Sequence, residues 1–183
     1  GLRVHMRDDA SDYPAMVLGN FMTGGGFLNS RLATPIRRND GLPSGVGSFF
    51  FPSPLDKDPL FGAQAIYAPQ NAEKLVIAFQ EEIAKVLDKG FTADEIAEAK
   101  KGWLQGRQVS RSNDRELVRT LTQRAFEGRT LAWDEELEKK ISALTNDPIQ
   151  AAMKKVINPE KISFVQSGDF AKVKKDATPG APK

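Results

Sequence analysis

Three consecutive glycines stand between two segments of helical character, within the stretch MTGGGFLNSRLATPIRR at residues 22–38. One glycine is enough to end a helix, because a residue without a Cβ adopts backbone conformations that other residues avoid. Three in a row add a cost in chain entropy and leave the backbone bare, which favours a place where a ligand or another chain approaches closely. Phosphate binding is not indicated, because it needs a strand before the glycines and a fuller motif. We therefore take Gly24, Gly25 and Gly26 as candidate binding residues.

The composition limits both the size of the fold and its chemistry. The 183 residues, 40% of them hydrophobic, are enough to bury a core in one generous domain or two small ones. The 26 basic and 24 acidic side chains nearly cancel, so neither a nucleic acid nor a membrane is indicated as a partner. With no cysteine and a single histidine, His5, the chain lacks the ligands of a thiolate or two-histidine zinc site. His5 itself is expected to have a structural role on the first strand.

Four segments have the patterns of strands. Apolar and polar residues alternate over residues 2–7, and glycine, phenylalanine and small residues at 43–52 and 60–68 predict an antiparallel pair joined by turn residues. Consecutive strand residues point to opposite faces, so the three phenylalanines at 49–51 cannot all face the core. The sequence ISFVQSG at 162–168 predicts a last strand.

The first two predicted helices flank the glycines. Ser11 or Asp12 is placed to cap the first helix, and Pro14 lies in its first turn, where a missing N–H costs nothing. The second is predicted at residues 30–38. Pro35 lies inside it, so that helix is expected to be kinked, short or otherwise compensated.

The C-terminal part predicts a series of helices. Apolar residues follow the helical period over residues 71–89, and Gly90 is placed to end that helix. Thr92 and Glu95 form a capping-box pattern for the next helix, which reaches about residue 110. Further helices are predicted at 113–128 and 134–144, with another helical turn containing Pro148. The carboxylates of DEELE at 134–138 are expected to form a solvated face near a helix N-terminus.

The order of elements is strand, helix, helix, two strands, four helices, strand. This order predicts an α+β fold, in which a mainly antiparallel sheet has helices packed on one face. We expect a single domain over residues 1–168, truncated at its N-terminal end, and a mobile tail at 169–183. The opening strand has no upstream neighbour, so the sheet is expected to expose an edge or an apolar face through which the chain self-associates.

The glycine run belongs to a longer signature. The stretch GNFMTGGGFLNSRLATPIRRNDGLPSGVGS resembles the L-G-G-G-F-x-S-R-L signature in the C-terminal domains of the pitrilysin and insulinase family of zinc metallopeptidases, which includes mitochondrial processing peptidase. The lead-in DASDYPAMVLGN and the segment FTADEIAEAKKGWLQ resemble family segments too. The resemblance extends over residues 3–170 and is far more specific than three glycines alone.

The resemblance implies a fold and a function. In this family two homologous halves close like a clamshell around a peptide, and the other half holds zinc on an H-x-x-E-H motif. This chain then contributes no metal ligand and no catalytic residue, and on its own it is expected to bind no zinc tightly and to hydrolyse no peptide. The substrate-contacting arginine of the family falls on Arg37, and the tyrosine seven residues later falls on Ser44. Arg31 and Arg38 are expected to be ordinary surface or inter-helix charges.

Two departures lie close to these positions. A serine hydroxyl at Ser44 does not reach as far as a phenol, and Pro35 disturbs the helix that carries Arg37. Three functions therefore stay open. The first is the non-metal half of a zinc metallopeptidase, the second is a non-catalytic scaffold that pairs with an active paralogue, and the third is a stand-alone peptide-binding module. A secreted or periplasmic location is a guess from the family.

Overall fold

A computed structural model describes residues 1–26, 30–33, 45–55 and 59–170. Within these ranges the chain forms six α-helices and a three-stranded antiparallel sheet, which confirms the predicted α+β class. None of the helices in these ranges is long and apolar enough to cross a membrane. The elements in chain order are β1 (Leu2–Arg3), α1 (Tyr13–Asn20), β2 (Gly45–Phe51), β3 (Leu60–Ile66), α2 (Ala72–Lys89), α3 (Ala93–Arg111), α4 (Asp114–Phe126), α5 (Leu131–Ala143) and α6 (Asn146–Val156).

The sheet has the order β1-β3-β2, and its two long strands are the predicted antiparallel pair. Phe50 lies opposite Phe61, which is fully buried. The ring centre of Phe50 lies 6.2 Å from that of Tyr13 in α1. Phe49 and Phe51 lie on the opposite face, with their rings stacked 5.0 Å apart. The helices therefore pack on the Phe50 side of the sheet, and the prediction that the three phenylalanines do not share a face is confirmed.

The opening strand is shorter than its pattern suggested. Leu2, Val4 and Met6 are buried while Arg3 and His5 are exposed, so the predicted alternation is present. Only Leu2–Arg3 is paired as a strand, and the N–H of Val4 adds a hydrogen bond of 2.9 Å to the carbonyl oxygen of Pro59.

Helix α1 occupies the centre of the core. Its Met16 and Leu18 are completely buried, and α6 packs closely against it because a Cβ on Gly19 would lie 2.6 Å from the sulfur of Met153. Asp12 takes the predicted capping position, but its side chain makes no capping hydrogen bond. Its carboxylate instead accepts a 2.6 Å hydrogen bond from Lys155, which follows from the close approach of α6.

Local end signals set the limits of the later helices. Gly90, with a φ of +66°, follows α2, and the Thr92 and Glu95 capping box begins α3, both as predicted. Helix α5 begins earlier than residue 134, because the hydroxyl of Thr130 accepts a hydrogen bond in its first turn. Pro148 lies in the first turn of a sixth helix, as predicted.

The predicted last strand at residues 162–168 is wrong for the described chain. This segment belongs to no sheet, although Gly1 and Ser163 exchange backbone hydrogen bonds of 2.8 and 2.9 Å. A strand needs a neighbour over several residues, and among the described residues only Gly1 bonds to the backbone of this segment in that way.

Candidate functional site

The glycines lie in a turn that is closed at its base by backbone hydrogen bonds. A π-helical turn at Phe21–Gly25 continues α1. The N–H of Arg31 donates to the carbonyl oxygen of Met22 at 3.1 Å, and the N–H of Leu32 donates to that of Thr23 at 2.9 Å. Thr23 is fully buried, and its hydroxyl donates a 2.7 Å hydrogen bond to the carbonyl oxygen of Gly19. The chain is therefore fixed by hydrogen bonds both before residue 24 and at residues 31 and 32.

A Cβ on any glycine of the run would require a neighbouring group to move. A Cβ on Gly24 would lie 2.7 Å from the backbone nitrogen of Ser48 in β2. On Gly25 it would lie 2.5 Å from the amide nitrogen of Asn20, and on Gly26 it would lie 2.1 Å from the ring of Phe21. The neighbour of Gly24 is backbone, so close packing accounts for this glycine, whereas the nearest atoms at Gly25 and Gly26 belong to side chains. A role for them in binding substrate stays a prediction.

Arg31 attaches the returning chain to the start of α3. Its guanidinium donates a 2.8 Å hydrogen bond to Glu95 and lies 5.9 Å from the ring centre of Phe91. Burial alone would raise the pKa of Glu95, but hydrogen bonds from Thr92 and Arg31 outweigh it and hold the pKa below its ordinary value. Arg31, which was predicted to be a surface or inter-helix charge, therefore joins a turn to the first turn of α3.

The two residues with the most specific expected roles, Arg37 and Ser44, lie outside the described residues, as do Pro35 and Arg38. The described chain stops at Ala33, which is buried, and resumes at Gly45, the first residue of β2. The substrate-binding assignments of Arg37 and Ser44 therefore stay predictions.

A second cluster of charged residues lies between α3, α4 and α5, and the sequence did not indicate it. Asp134 is only 1% exposed, and Arg124 donates hydrogen bonds of 2.7 and 2.8 Å to its two carboxylate oxygens. Arg107 pairs with Asp134 from α3, and both Arg107 and Arg111 pair with Glu138. The prediction of a solvated face at 134–138 is wrong for these two carboxylates, because arginines from two other helices cover them.

The cluster extends to the N-terminal segment through Arg129. Its guanidinium donates hydrogen bonds of 2.6 and 2.8 Å to the two oxygens of Asp8. The ring centre of Trp133 lies 4.7 Å from the guanidinium of Arg129 and 4.4 Å from that of Arg124. We call this set the ion cluster; its members are Asp8, Arg107, Arg111, Arg124, Glu127, Arg129, Asp134 and Glu138.

The surroundings of Asp134 and Arg124 favour their charged forms. Burial alone would raise the pKa of Asp134, but the hydrogen bonds and charges of Arg124 and Arg107 hold it below its ordinary value. The hydrogen bond to Asp134 raises the pKa of Arg124. Burial, together with the nearby charge of Asp8, raises the pKa of Tyr13 to about 12. Ion pairing of this kind favours a structural role over proton transfer near neutral pH.

The described residues were also searched for a possible metal site. Among residues 1–26, 30–33, 45–55 and 59–170, no group of three His, Cys, Asp or Glu side chains is arranged to hold a metal ion.

Comparison with known families identifies the domain. Residues 1–102, more than half of the chain, match the profile of the peptidase M16 inactive domain. The chain belongs to this family of M16 inactive domains. The match includes the glycine run and confirms the resemblance found in the sequence. No curated protein matches this M16 domain.

Solved structures share the fold of this M16 domain over most of its length. A peptidase M16 inactive domain from Pseudomonas fluorescens is 29% identical, with a TM-score of 0.74, and the match covers 86% of this chain and 37% of that one. An inactive peptidase domain from Bordetella parapertussis is 16% identical, with a TM-score of 0.68, covering 84% of this chain and 81% of that one. The periplasmic protease PqqL from Escherichia coli is 19% identical, with a TM-score of 0.62, and the match covers 85% of this chain and 17% of that one. The last two show the fold alone, and this chain spans well under two thirds of the Pseudomonas chain.

Proposed function

We propose that this M16 domain is the non-metal, C-terminal half of a zinc metallopeptidase, and that it packs beside a homologous zinc-binding half and helps to hold a peptide between them. The observation that carries the proposal is the closed base of the glycine turn. Backbone hydrogen bonds at Thr23 and Leu32, and the ion pair of Arg31 with Glu95, fix the point from which residues 34–44 start. A substrate-holding residue needs such a rigid support.

Within this proposal Arg37 is the substrate clamp. A guanidinium carries five N–H donors in a planar fork, and its hydrogen bonds to peptide carbonyl oxygens are charge-assisted. The backbone of Gly24, Gly25 and Gly26 lines the approach to the peptide, and Ser44 takes the place of the tyrosine that the family has there. The chain supplies binding and orientation, and it takes no part in activating water.

Zinc belongs to the partner half in this proposal. A catalytic zinc site needs three protein ligands and an open position for water, whereas this sequence contains one histidine and no cysteine. The partner half is either a further part of the same polypeptide or a separate chain. Zinc there would supply the activated water that attacks the peptide bond.

The test replaces Arg37 in the enzyme assembled with its zinc-binding half, and the adjacent Arg38 provides the matched control. A hydrogen bond to a charged group contributes about 1.5 to 3 kcal/mol, so Arg37→Ala is expected to lower kcat/KM by roughly tenfold to more than a hundredfold. Thermal stability and zinc content should not change. Arg38→Ala should leave kcat/KM within about twofold of the wild type. Equal effects of the two substitutions would contradict the clamp.

Two departures from the family signature favour the scaffold function, namely Ser44 at the position of the family tyrosine and Pro35 within the predicted helix. A scaffold would pair with an active paralogue without touching the substrate. The variant Ser44→Tyr separates the two functions, because restoring the phenol should raise kcat/KM in a weakened clamp and should have no effect in a scaffold. A periplasmic location, as PqqL has, is part of the first proposal and can be checked by cell fractionation.

A further inference from the structure

The face of the sheet that points away from the helices carries no charge on its two long strands. Phe61 is buried against the helices, and side chains alternate along a strand, so every second residue of β2 and β3 points outward. The outward residues are Gly45, Gly47, Phe49 and Phe51 of β2, and Leu60, Gly62, Gln64 and Ile66 of β3. A charged group that left water here would find no opposite charge on these strands, so the face favours an apolar partner group.

One end of this face is bare backbone. A Cβ on Gly45 would meet nothing within 4 Å, and one on Gly47 would meet only the carbonyl oxygen of Gly24, at 3.4 Å. Across the strands, Ile66 lies opposite Gly45 and is 86% exposed, and Gln64 lies opposite Gly47 and is exposed too. The two glycines therefore leave an open space that an apolar side chain borders.

Phe49 closes this space on one side. Its ring leans over Gly62, where a Cβ would lie 2.7 Å from it, and stacks on the ring of Phe51 with ring centres 5.0 Å apart. Successive outward positions on a strand lie about 7 Å apart, so the bare stretch beyond the ring is wide enough for one large side chain. We call this space the glycine notch; its members are Gly45, Gly47, Phe49, Gln64 and Ile66.

The glycine notch adjoins the glycine turn. The carbonyl oxygen of Gly24 lies at its rim beside Gly47, and Gly24 packs against the backbone nitrogen of Ser48, the next residue of β2. A peptide held at the glycine turn would therefore pass over the notch. A flat protein surface would leave such a hollow unfilled and lose its dispersion contacts, whereas an extended peptide projects single side chains that can enter it.

We propose that the glycine notch is a specificity subsite, which takes one large apolar side chain of the peptide substrate, such as leucine, methionine or phenylalanine. The side chain packs on the ring of Phe49 and against Ile66, above the bare backbone of Gly45 and Gly47. A charged side chain is disfavoured there, because it would lose water without gaining a partner. This inference rests on the proposed function and deepens it by naming the class of residue that the substrate presents.

The test fills the notch in the enzyme assembled with its zinc-binding half. Random peptides of uniform length, analysed by mass spectrometry after partial cleavage, give the relative kcat/KM for each side chain at each position. We expect one position at which the wild type prefers leucine over alanine by about tenfold or more. Gly45→Leu occupies the notch and should reduce this preference to less than about threefold. The control is Gly106→Leu on α3, where a Cβ also meets nothing within 4 Å, and it should keep the preference.

A change of specificity distinguishes a subsite from a general loss of activity. Ile66→Lys replaces a side chain that is almost fully exposed, so the fold should tolerate it, and it places a cation at the notch. Aspartate and glutamate should then become the favoured residues at the same peptide position by about tenfold over leucine. A peptide that carries photo-leucine at this position, bound to the enzyme after zinc is removed by chelation, should crosslink within residues 45–51 or 60–66.

An unchanged preference in Gly45→Leu, or a crosslink confined to the zinc-binding half, would overturn the inference. So would a Gly45→Leu variant that changes only the oligomeric state, because the notch would then be a contact between copies of the chain. If Arg37→Ala slows cleavage while Gly45→Leu keeps the preference, the notch alone is excluded and the proposed function stands. If the assembled wild type cleaves none of the peptides, both are overturned.

Discussion

Gly24 and Gly45 are both glycines without a positive φ, and they differ in their surroundings. A Cβ on Gly24 would lie 2.7 Å from the backbone nitrogen of Ser48, whereas one on Gly45 would meet nothing within 4 Å. Gly24→Ala therefore forces the turn away from β2 and should lower the free energy of unfolding by about 1 to 3 kcal/mol. Gly45→Ala is the control and should change it by no more than about 0.5 kcal/mol. Denaturant unfolding of the two variants checks this, and equal losses would mean that close packing does not explain Gly24.

The carboxylates of α5 provide a second contrast between neighbouring residues. Asp134 is buried under Arg107 and Arg124, whereas Glu136 is 56% exposed and lies 3.7 Å from Lys140. Asp134→Ala removes the buried carboxylate that Arg107 and Arg124 share, leaves Glu138 and Glu127 as their only carboxylate partners in the cluster, and should cost about 3 to 5 kcal/mol of stability. Glu136→Ala removes only a surface pair and should cost less than about 1 kcal/mol. Calorimetry on the two variants measures the difference, and a small cost at Asp134 would show that water readily replaces its carboxylate around the two arginines.

At the scale of elements, the ion cluster joins parts of the chain that share little apolar contact. Helix α4 has no buried residue, and its Val118 and Phe126 are 61% and 74% exposed. Arg124, near its C-terminal end, connects it to α5, and Arg129 connects the following loop to Asp8. We infer that the position of α4 depends on these ion pairs more than on hydrophobic packing.

This dependence predicts a loss of stability in acid. The pKa values of Asp134 and Glu138 are held below their ordinary values of 3.8 and 4.5 in the folded chain, so the unfolded chain binds more protons in that range. Their contribution to stability is complete above the ordinary values and is lost as the pH falls through the lowered ones. Denaturation midpoints measured from about pH 6 to pH 2 should fall steeply in the wild type. The double variant Asp134→Asn, Glu138→Gln should show a flatter dependence, and parallel curves would exclude these two groups as the cause.

The elements could be predicted wherever their signals are local. Gly90, the pair of Thr92 and Glu95, and Pro148 fix helix ends through contacts within a few residues, and the structure has them where the sequence predicted. The burial of Asp134 could not be predicted, because its partners lie 10 and 27 residues away in the sequence. The prediction of a strand at 162–168 was wrong for a related reason. Strand pairing depends on a neighbouring strand, and the sequence of the segment does not specify that neighbour.

The candidate site was predicted less completely than the fold. The glycine signature identified the family, and the structure then explained the glycines by contacts with Asn20, Phe21 and Ser48 that no local pattern reveals. The roles of Arg37 and Ser44 rest on alignment with the family signature. Their positions follow from sequence spacing, whereas their contact with a substrate stays a prediction.

At the scale of the whole molecule, the sheet has one apolar face that the described helices leave open. Phe51, Leu60 and Ile66 are 63%, 40% and 86% exposed, and Phe49 stacks on Phe51. We call these four residues the outer sheet face. Exposed apolar patches of this kind mark interaction surfaces. In the proposed function, the partner half would cover the outer sheet face.

Without such a partner, the chain should self-associate through the outer sheet face. The double variant Phe51→Glu, Ile66→Glu places charges on this face and should shift the chain towards monomer, because burying an unpaired carboxylate opposes association. The control is Val118→Glu, Phe126→Glu on α4, which adds the same charge at exposed apolar positions elsewhere and should leave association unchanged. Sedimentation velocity over a range of concentrations measures the outcome. If the α4 variant disperses the oligomers and the sheet variant does not, the interface lies on α4. A wild-type chain that stays monomeric at high concentration would show that the outer sheet face does not drive association.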